Sequence, residues 1–287
     1  MKKIVILSVT IIMMLCLSIN SFAATDARND SYINDSSKEE IKDTFTFNEY
    51  DMYVSLKKDN LVYRNILNIE QELLNRKNLS DNELKAQFGY DDKQIEILRN
   101  YNGRPLELAP ETRDLFATLS CTIQNMGSTS TRANFRFYWV WNMAPTILAN
   151  DMIGIYTHAL DNGAEKIGTD YINTSCSIDY YTNAGTYIKT SYVNVNNAYG
   201  EETLATTIPM GDNTGCYAKS GFIYGSIIPE ASGGAMVDVR VYASYGHSIL
   251  SIYPSFTISL SGVVPTFSFV AQMHEAGEAY NQLLDLA

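Results

Sequence analysis

Histidine is scarce in this chain, and its placement limits the acid–base and metal chemistry that the chain can perform. The three histidines are His158, His247 and His274. His274 and Glu278 are four residues apart, so on a helix their side chains would share one face and could offer two ligands to a metal ion. A zinc-binding helix of the His-Glu-x-x-His type needs a second histidine where Glu278 stands. We therefore interpret His274 and Glu278 as an ordinary helical surface pair, and we expect no metal ion and no cofactor.

Nucleophiles and paired carboxylates do not define a catalytic set either. The sequence has no Gly-x-Ser-x-Gly motif. Cys121, Cys176 and Cys216 are not at metal-ligand spacing, and they permit one disulfide bond without indicating which pair forms it. Two acids could form a glycosidase site from any positions, but a chain with 32 acidic residues places such pairs on its surface in any case. The sequence therefore favours a protein that is not an enzyme.

Aromatic residues are concentrated in one short run, and both tryptophans of the chain lie there. If this run is a strand, its side chains alternate between two faces. The Phe/Trp face consists of Phe135, Phe137, Trp139 and Trp141, and the mixed face consists of Arg136, Tyr138 and Val140. Because a charged Arg136 is rarely buried without a partner, we expect the Phe/Trp face to point into the core. The alternative is an exposed platform on which a sugar or another flat ligand stacks.

These two alternatives nominate different ligand-binding residues. If the Phe/Trp face is buried, a binding surface is built from tyrosines, and we nominate Tyr138, Tyr180 and Tyr181. If that face is exposed, Trp139 and Trp141 are the candidates. Further tyrosines, Tyr187 and Tyr192, lie close to Tyr180 and Tyr181 in the sequence.

The elements that must position these residues are predicted to be mostly strands. From about residue 115 the chain is rich in Tyr, Thr, Ser, Val and Ile, with frequent turn signals. We predict strands near 116–126, 133–142, 150–158, 171–181, 185–195, 218–228, 235–245, 248–260 and 263–270. Many short alternating strands indicate an antiparallel β-sandwich over residues 111–287. We predict a short helix at 271–286, because that segment has no β-branched residue.

Residues 39–110 are predicted to be a small helical region, so the fold class is α+β. Val62, Ile66, Ile69 and Leu73 recur at helical spacing and form one apolar stripe. Ser80 with Glu83, and Asp91 with Gln94, each have the spacing of a capping box. These signals predict two short helices in succession.

The first 38 residues have no part in this predicted fold. Residues 1–23 are predicted to be a cleavable signal peptide. They begin with the basic residues Lys2 and Lys3, continue as an apolar run up to Leu17 and end with the small residues Ser21 and Ala23. Residues 24–38 are polar and are predicted to be a flexible leader. We expect the mature chain to be secreted, with cleavage near Ala23. Its formal net charge of −11 before cleavage argues against a nucleic-acid partner.

One segment resembles uncharacterised secreted proteins of Gram-positive bacteria. It begins with Phe88-Gly89-Tyr90, contains Gln94, Ile95 and Leu98, and closes on Tyr101-Asn102-Gly103. The resemblance implies export from the cell and brings no activity with it.

Three classes of function follow from the sequence. The first is an exported, non-catalytic protein that binds a surface glycan or a protein partner. The second is a membrane-active, pore-forming-like β-protein, because strands rich in Ser and Thr that alternate cleanly, as at 255–261, are typical of membrane-inserting hairpins. The third is an enzyme of a class that the sequence does not reveal.

Overall fold

The computed structural model describes residues 42–59, 68–196, 202–211, 215–231, 233–248, 255–261, 264–269 and 273–286. These residues belong to one contact-defined unit that begins at Ile41. The predicted signal peptide, the predicted leader and two residues of the apolar stripe, Val62 and Ile66, lie outside the described residues. None of the described helices is long and apolar enough to cross a membrane.

Four helices precede most of the strands. They are α1 (Glu49–Asp59), α2 (Ile69–Arg76), α3 (Asp81–Phe88) and α4 (Asp92–Asn100), followed by 3-10 turns at Leu106–Leu108 and Pro110–Leu115. Both predicted capping boxes are confirmed. The Ser80 and Asp91 side chains accept from the backbone N–H groups of Glu83 and Gln94, and the side chains of Glu83 and Gln94 accept in turn from the backbone N–H groups of Ser80 and Asp91. Gly89 ends α3 with a φ of 70°, a conformation that glycine adopts without strain.

Twelve strands are present in the described part of the chain. They are β1 (Thr44–Asn48), β2 (Thr118–Thr129), β3 (Arg132–Trp141), β4 (Asn150–Leu160), β5 (Thr169–Thr182), β6 (Tyr187–Val193), β7 (Thr203–Pro209), β8 (Cys216–Pro229), β9 (Asp238–Ser248), β10 (Phe256–Ser261), β11 (Val264–Phe269) and β12 (Met273–Asp285). All their pairings are antiparallel. The predicted α+β class with antiparallel, sandwich-like sheets is confirmed.

The strands form two large sheets and one hairpin. Sheet A has six strands in the order β1-β2-β3-β8-β5-β6, and sheet B has four in the order β12-β9-β4-β7. Strands β10 and β11 pair only with each other among the described residues. The main core comprises the inward residues of both sheets, including Phe135, Phe137, Trp139 and Trp141 of β3 and Ile153 and Val241 of sheet B.

The prediction of a helix at 271–286 is wrong, because this segment is strand β12, paired with β9 along its whole length. Intrinsic preference is overridden here by sheet pairing. A bulge at Ala276 adapts the strand, and Gly277 next to it has a φ of 151° that few other residues adopt. His274 and Glu278 therefore do not share a helix face.

Two further strands were not predicted. Strand β1 lies within the predicted helical region and extends sheet A through β2, and β7 forms an edge of sheet B. Short strands at sheet edges depend on their neighbours for pairing, so their local sequence carries a weak signal.

Candidate functional site: the outer face of sheet A

The face of sheet A that points away from the core carries aromatic side chains on several neighbouring strands. Cross-strand pairing places five outward residues side by side in one row across five strands. From β2 to β6 this row is Thr122, Tyr138, Phe222, Ser177 and Tyr192. Because neighbouring strands are about 4.8 Å apart, Tyr138 on β3 and Tyr192 on β6 lie about 14 Å apart along the row, which is three strand spacings.

A second row lies next to the first and brings a cation onto the face. It contains Gln124, Arg136, Tyr224 and Ser175 in register. The Arg136 guanidinium lies over the Phe222 ring, with its central carbon 4.7 Å from the ring centroid. An arginine stacked on an aromatic ring retains donors for a ligand while its carbon stem covers apolar surface.

Hydrogen bonds fix the orientation of other side chains on this face. The Tyr224 hydroxyl lies 3.2 Å from Asn134 Oδ1 and 3.2 Å from Ser226 Oγ. Near β6, the Thr190 hydroxyl donates to Asp179 Oδ1 at 2.6 Å and lies 2.9 Å from the Tyr187 hydroxyl. Side chains held in this way lose less conformational entropy when a partner binds.

Strand β6 is one edge of sheet A, and of the described aromatic residues it carries the most exposed, Tyr192. Tyr192 is 79% exposed, and Tyr187 and Ile188 are also exposed. The Tyr187 ring packs edge-on against Tyr181 at 5.5 Å between centroids, and Lys219 Nζ lies 5.1 Å from the Tyr181 ring centroid. Large aromatic side chains that protrude from an edge strand are typical of contact surfaces rather than of solvated sheet edges, which usually carry charges.

The structure places the five nominated residues on both sides of sheet A. Tyr138 and Tyr181 lie on the outer face. Trp139 and Trp141 are fully buried in the core, so the predicted inward orientation of the Phe/Trp face is confirmed and these two residues have no surface to offer a ligand. Tyr180 also points inward, is buried, and donates its hydroxyl proton to the Pro209 carbonyl at 2.7 Å. Trp139, Trp141 and Tyr180 are thus buried whereas Tyr138 and Tyr181 are not, and the nomination of the five as ligand contacts stays a prediction.

Phe222 and Tyr224, which complete the two rows, were missed at the sequence level. The signal was present, because Ser220, Phe222, Tyr224 and Ser226 alternate with small or aliphatic residues along the predicted strand 218–228. Which of the two alternating sets faces outward depends on the pairing of β8 with β3, and the sequence alone does not give that register.

A second polar constellation lies inside the sandwich. His247 of β9 is fully buried between two carboxylates. Its Nδ1 lies 3.0 Å from both oxygens of Asp151 on β4, and its Nε2 lies 3.6 Å from Glu49 Oε1. Asp151 also accepts from the Tyr245 hydroxyl at 2.8 Å and from the Ser248 backbone N–H at 2.8 Å.

Glu49 connects this cluster to sheet A. It follows β1 directly as the first residue of α1, and its carboxylate accepts from the backbone N–H groups of Ala117 at 3.2 Å and Thr146 at 2.9 Å. Burial alone would lower the pKa of the His247 imidazole, but the Asp151 and Glu49 carboxylates outweigh it and raise that pKa to about 10. His247 is therefore a buried imidazolium at neutral pH. Its side chain is fully buried, and the cluster links β4 and β9 of sheet B to Glu49, which follows β1 of sheet A.

His274 is the histidine with access to solvent at this end of the molecule. It lines an open cleft of about 560 Å³ together with Asp51, Ser55, Arg113 and Asp114. Burial and the charge of the neighbouring His247 lower the pKa of the His274 imidazole. Within the described residues no three His, Cys, Asp or Glu side chains come together as a metal site.

The cysteines are also accounted for by the core. Cys121 and Cys176 are buried thiols, and Cys216 is likewise buried. Burial raises the pKa of the Cys176 thiol to about 12 and that of Cys121 well above its ordinary value. Thiols that stay protonated are poor nucleophiles.

Comparison with known proteins identifies no family for this chain. No protein-family model matches the sequence, and no curated protein matches it. Partial likenesses exist to solved structures. The collagen-binding subdomain of the Enterococcus faecalis surface protein ACE aligns with a TM-score of 0.28 and 8% identity, over 56% of this chain and 94% of that one.

Two further likenesses are at the same level. The KRT10-binding region domain of the pneumococcal serine-rich repeat protein PsrP aligns with a TM-score of 0.24 and 8% identity, over 58% of this chain and 88% of that one. AvmM, which catalyses macrocyclization in alchivemycin A biosynthesis, aligns with a TM-score of 0.22 and 9% identity, over 44% of this chain and 72% of that one. Likenesses this distant establish neither a relationship nor an activity.

Proposed function

We propose that this chain is an exported, non-catalytic protein that binds a protein partner through the outer face of sheet A. The observation that carries the proposal is the row in which Tyr138, Phe222 and Tyr192 stand in register, with Arg136 stacked on Phe222 beside it. Tyrosine, phenylalanine and arginine are the residue types that protein interfaces concentrate at their centres.

The shape and charge of the face favour a protein over a sugar as the partner. Five strands at about 4.8 Å spacing make a face about 20 Å wide, which matches a protein patch better than a single sugar ring. Of the nine residues in the two rows, one, Arg136, is charged, and arginine is the charged residue type that protein interfaces favour.

Binding assays with matched variants test this function. The purified chain is applied to a panel of immobilised extracellular proteins that includes collagen and keratin, and in parallel to a glycan array. The double variant Tyr138→Ala/Tyr192→Ala should weaken binding at least about tenfold, because truncated aromatic hot spots cost more than 1 kcal/mol each. Its thermal stability should stay close to that of the wild type, since both side chains are exposed.

A control of the same kind is available at Leu108, an exposed apolar residue outside sheet A. Leu108→Ala should leave both binding and stability unchanged. Binding to glycans alone would replace the protein partner with a glycan. Equal binding by the wild type and the double variant would contradict a role for the outer face.

Export is the remaining part of the proposal, and its support is the sequence pattern of residues 1–23. Mass spectrometry of protein recovered from the culture medium should find an N-terminus at Ala24 or Thr25. Full-length protein that begins at Met1 and stays inside the cell would contradict export.

A further inference from the structure

Two arginines of strand β3, Arg132 and Arg136, point outward from sheet A and have no ion pair with any described residue. We propose that the protein partner presents an acidic segment to this face, with carboxylates that pair with Arg136 and Arg132. The inference rests on the proposed function, because it uses the same face of sheet A. It adds the chemistry of the partner, which the aromatic row does not specify.

Arginines without an ion pair are exceptional in this chain. Of the seven arginines in the described ranges, the other five each contact a carboxylate, namely Arg76, Arg99, Arg104, Arg113 and Arg240. Carboxylates are not scarce, since the chain has 32 acidic and 21 basic residues. A shortage of anions therefore does not explain why both exceptions lie on one face of one strand.

The surroundings of Arg136 leave its guanidinium free for an anion. One flat side is stacked on the Phe222 ring, and the neighbours in its row, Gln124 and Tyr224, are uncharged. Its Nε is buried and has no hydrogen-bond partner in the described structure. Because an unpaired buried donor costs free energy, a carboxylate that binds the edge of the guanidinium would recover that cost.

The outward carboxylates of the neighbouring strand β5 do not neutralise the two arginines. Asp179 is two strands and four residues away from Arg136 in the register, about 17 Å between Cα positions, and it accepts from the Thr190 hydroxyl at 2.6 Å. Asp170 is two strands away from Arg132, about 10 Å, and is not ion-paired with it. A carboxylate that pairs with either arginine must therefore come from another molecule.

The spacing of the two arginines suits an extended segment. Arg132 and Arg136 are four residues apart on one strand, which corresponds to about 13 Å. Asn134 lies between them, is uncharged, and already donates to the Gly127 carbonyl at 2.7 Å. An extended partner segment that lies along β3 brings acidic residues at positions i and i+4 to the same separation and on the same side. We therefore expect two acidic residues four positions apart.

The aromatic row makes such an ion pair stronger than an ordinary surface pair. Tyr138 is two residues from Arg136 along β3, and Phe222 lies under the guanidinium. Aromatic contacts around a charged pair exclude water and lower the local dielectric constant. Because the chain has a formal net charge of −11, a partner that is acidic throughout would be repelled, so we expect the acidic residues to be confined to the contacting segment.

Selection from a phage-displayed library of random peptides tests this chemistry without a known partner. The library is panned on the immobilised full chain, and immobilised heparin is tested in parallel. We expect enrichment of peptides with two or more Asp or Glu residues beside an aromatic or aliphatic residue. Their binding should fall at least about tenfold on Arg136→Gln. It should also weaken when the salt concentration rises from about 0.1 M to about 1 M, which shortens the screening length from about 10 Å to about 3 Å.

Three further variants control for charge and folding. Arg136→Lys keeps the charge but lacks the planar group that stacks and binds in a bidentate manner, so its binding should lie between those of the wild type and Arg136→Gln. Arg132→Gln should cause a smaller loss, because this side chain is exposed at the end of the strand. Arg113→Gln removes the same charge outside sheet A and should leave peptide binding unchanged. Melting temperatures of all four variants identify any that fail to fold.

Several outcomes would overturn the proposal. They are no enrichment, enriched peptides that lack Asp and Glu, and equal binding to the wild type and both Arg136 variants. Binding to heparin without enrichment of acidic peptides would replace the acidic segment with a sulfated glycan. Peptides that lose binding to Tyr138→Ala/Tyr192→Ala but not to the arginine variants would refute this inference and leave the proposed function standing. Peptides that bind every variant equally would contradict both.

Discussion

The outer faces of the two sheets are built from similar residues but differ in where the glycines point. In sheet B, Gly154 and Gly246 point outward, and the rings of Phe256 and Phe269 lie over them. In sheet A, Gly221 and Gly225 of β8 point inward, and the rings of Trp139 and Phe135 fill the space over them.

This difference shows how glycine position determines which face is closed. A ring placed over a glycine contacts the backbone closely and covers the sheet. In sheet A these contacts lie in the core, and the outer aromatic residues Tyr138 and Tyr192 stay exposed. In sheet B they lie outside, where the β10–β11 hairpin covers the sheet. Fully burying a phenylalanine contributes about 1.5–3 kcal/mol, and the hairpin buries two of them, Phe256 and Phe267.

Adjacent residues of β3 provide the largest test of this inside–outside difference. Trp139→Ala should cost about 3–5 kcal/mol of unfolding free energy, because it empties a fully buried site over Gly221. Tyr138→Ala, one residue away on the outer face, should change stability by no more than about 0.5 kcal/mol. Denaturant unfolding of both variants measures the difference. Similar losses for the two would mean that the outer face is also part of a packed core.

Sequence patterns predicted this inside–outside division well where they were local. Alternation in 135–141, with Arg136 on the opposite face, was sufficient to place Trp139 and Trp141 in the core. The capping boxes at Ser80 and Asp91 were equally local, since each needs only residues three apart.

The features that were missed depend on contacts distant in sequence. Strand β12 has weak strand preference and exists because β9 offers it a pairing edge. Asp151 of β4 contacts His247 of β9, and Glu49, which follows β1 of sheet A, contacts the same histidine. These three residues are far apart in the sequence, so their spacing does not predict the cluster. The row from Tyr138 to Tyr192 likewise requires the register of four strands.

The buried His247 cluster provides the second test, because it joins the two sheets from inside. Below about pH 6.5 the imidazole is protonated in both the folded and the unfolded chain, and its stabilisation is fully present. As the pH rises toward about 10, the unfolded chain loses this proton first, so the free energy of unfolding should fall. Melting temperatures measured between pH 6.5 and pH 10 should decrease accordingly.

Substitution of one partner separates this effect from general alkaline sensitivity. Asp151→Asn removes the closer carboxylate, so it should reduce stability at neutral pH and make the alkaline decline smaller, ending at a lower pH. His158→Gln is a matched control, because the pKa of His158 is lowered rather than raised and this histidine contributes nothing to an alkaline decline. A wild-type profile that stays flat from pH 6.5 to pH 10 would contradict a buried imidazolium.

The smallest expected effect concerns the cover of sheet B. Gly154→Ala would place a methyl group against the Phe256 ring, and overpacking of this kind costs about 1–3 kcal/mol. The hairpin can relieve the clash by moving away from β4, so the cost should appear mainly as easier opening of β10 and β11, measured as faster proteolysis near residue 260. Gly225→Ala, against the Phe135 ring in the core, creates a similar clash without a removable element. It should lower the melting temperature without accelerating this cleavage, and equal acceleration by both variants would mean that general destabilisation, rather than opening of the hairpin, controls proteolysis.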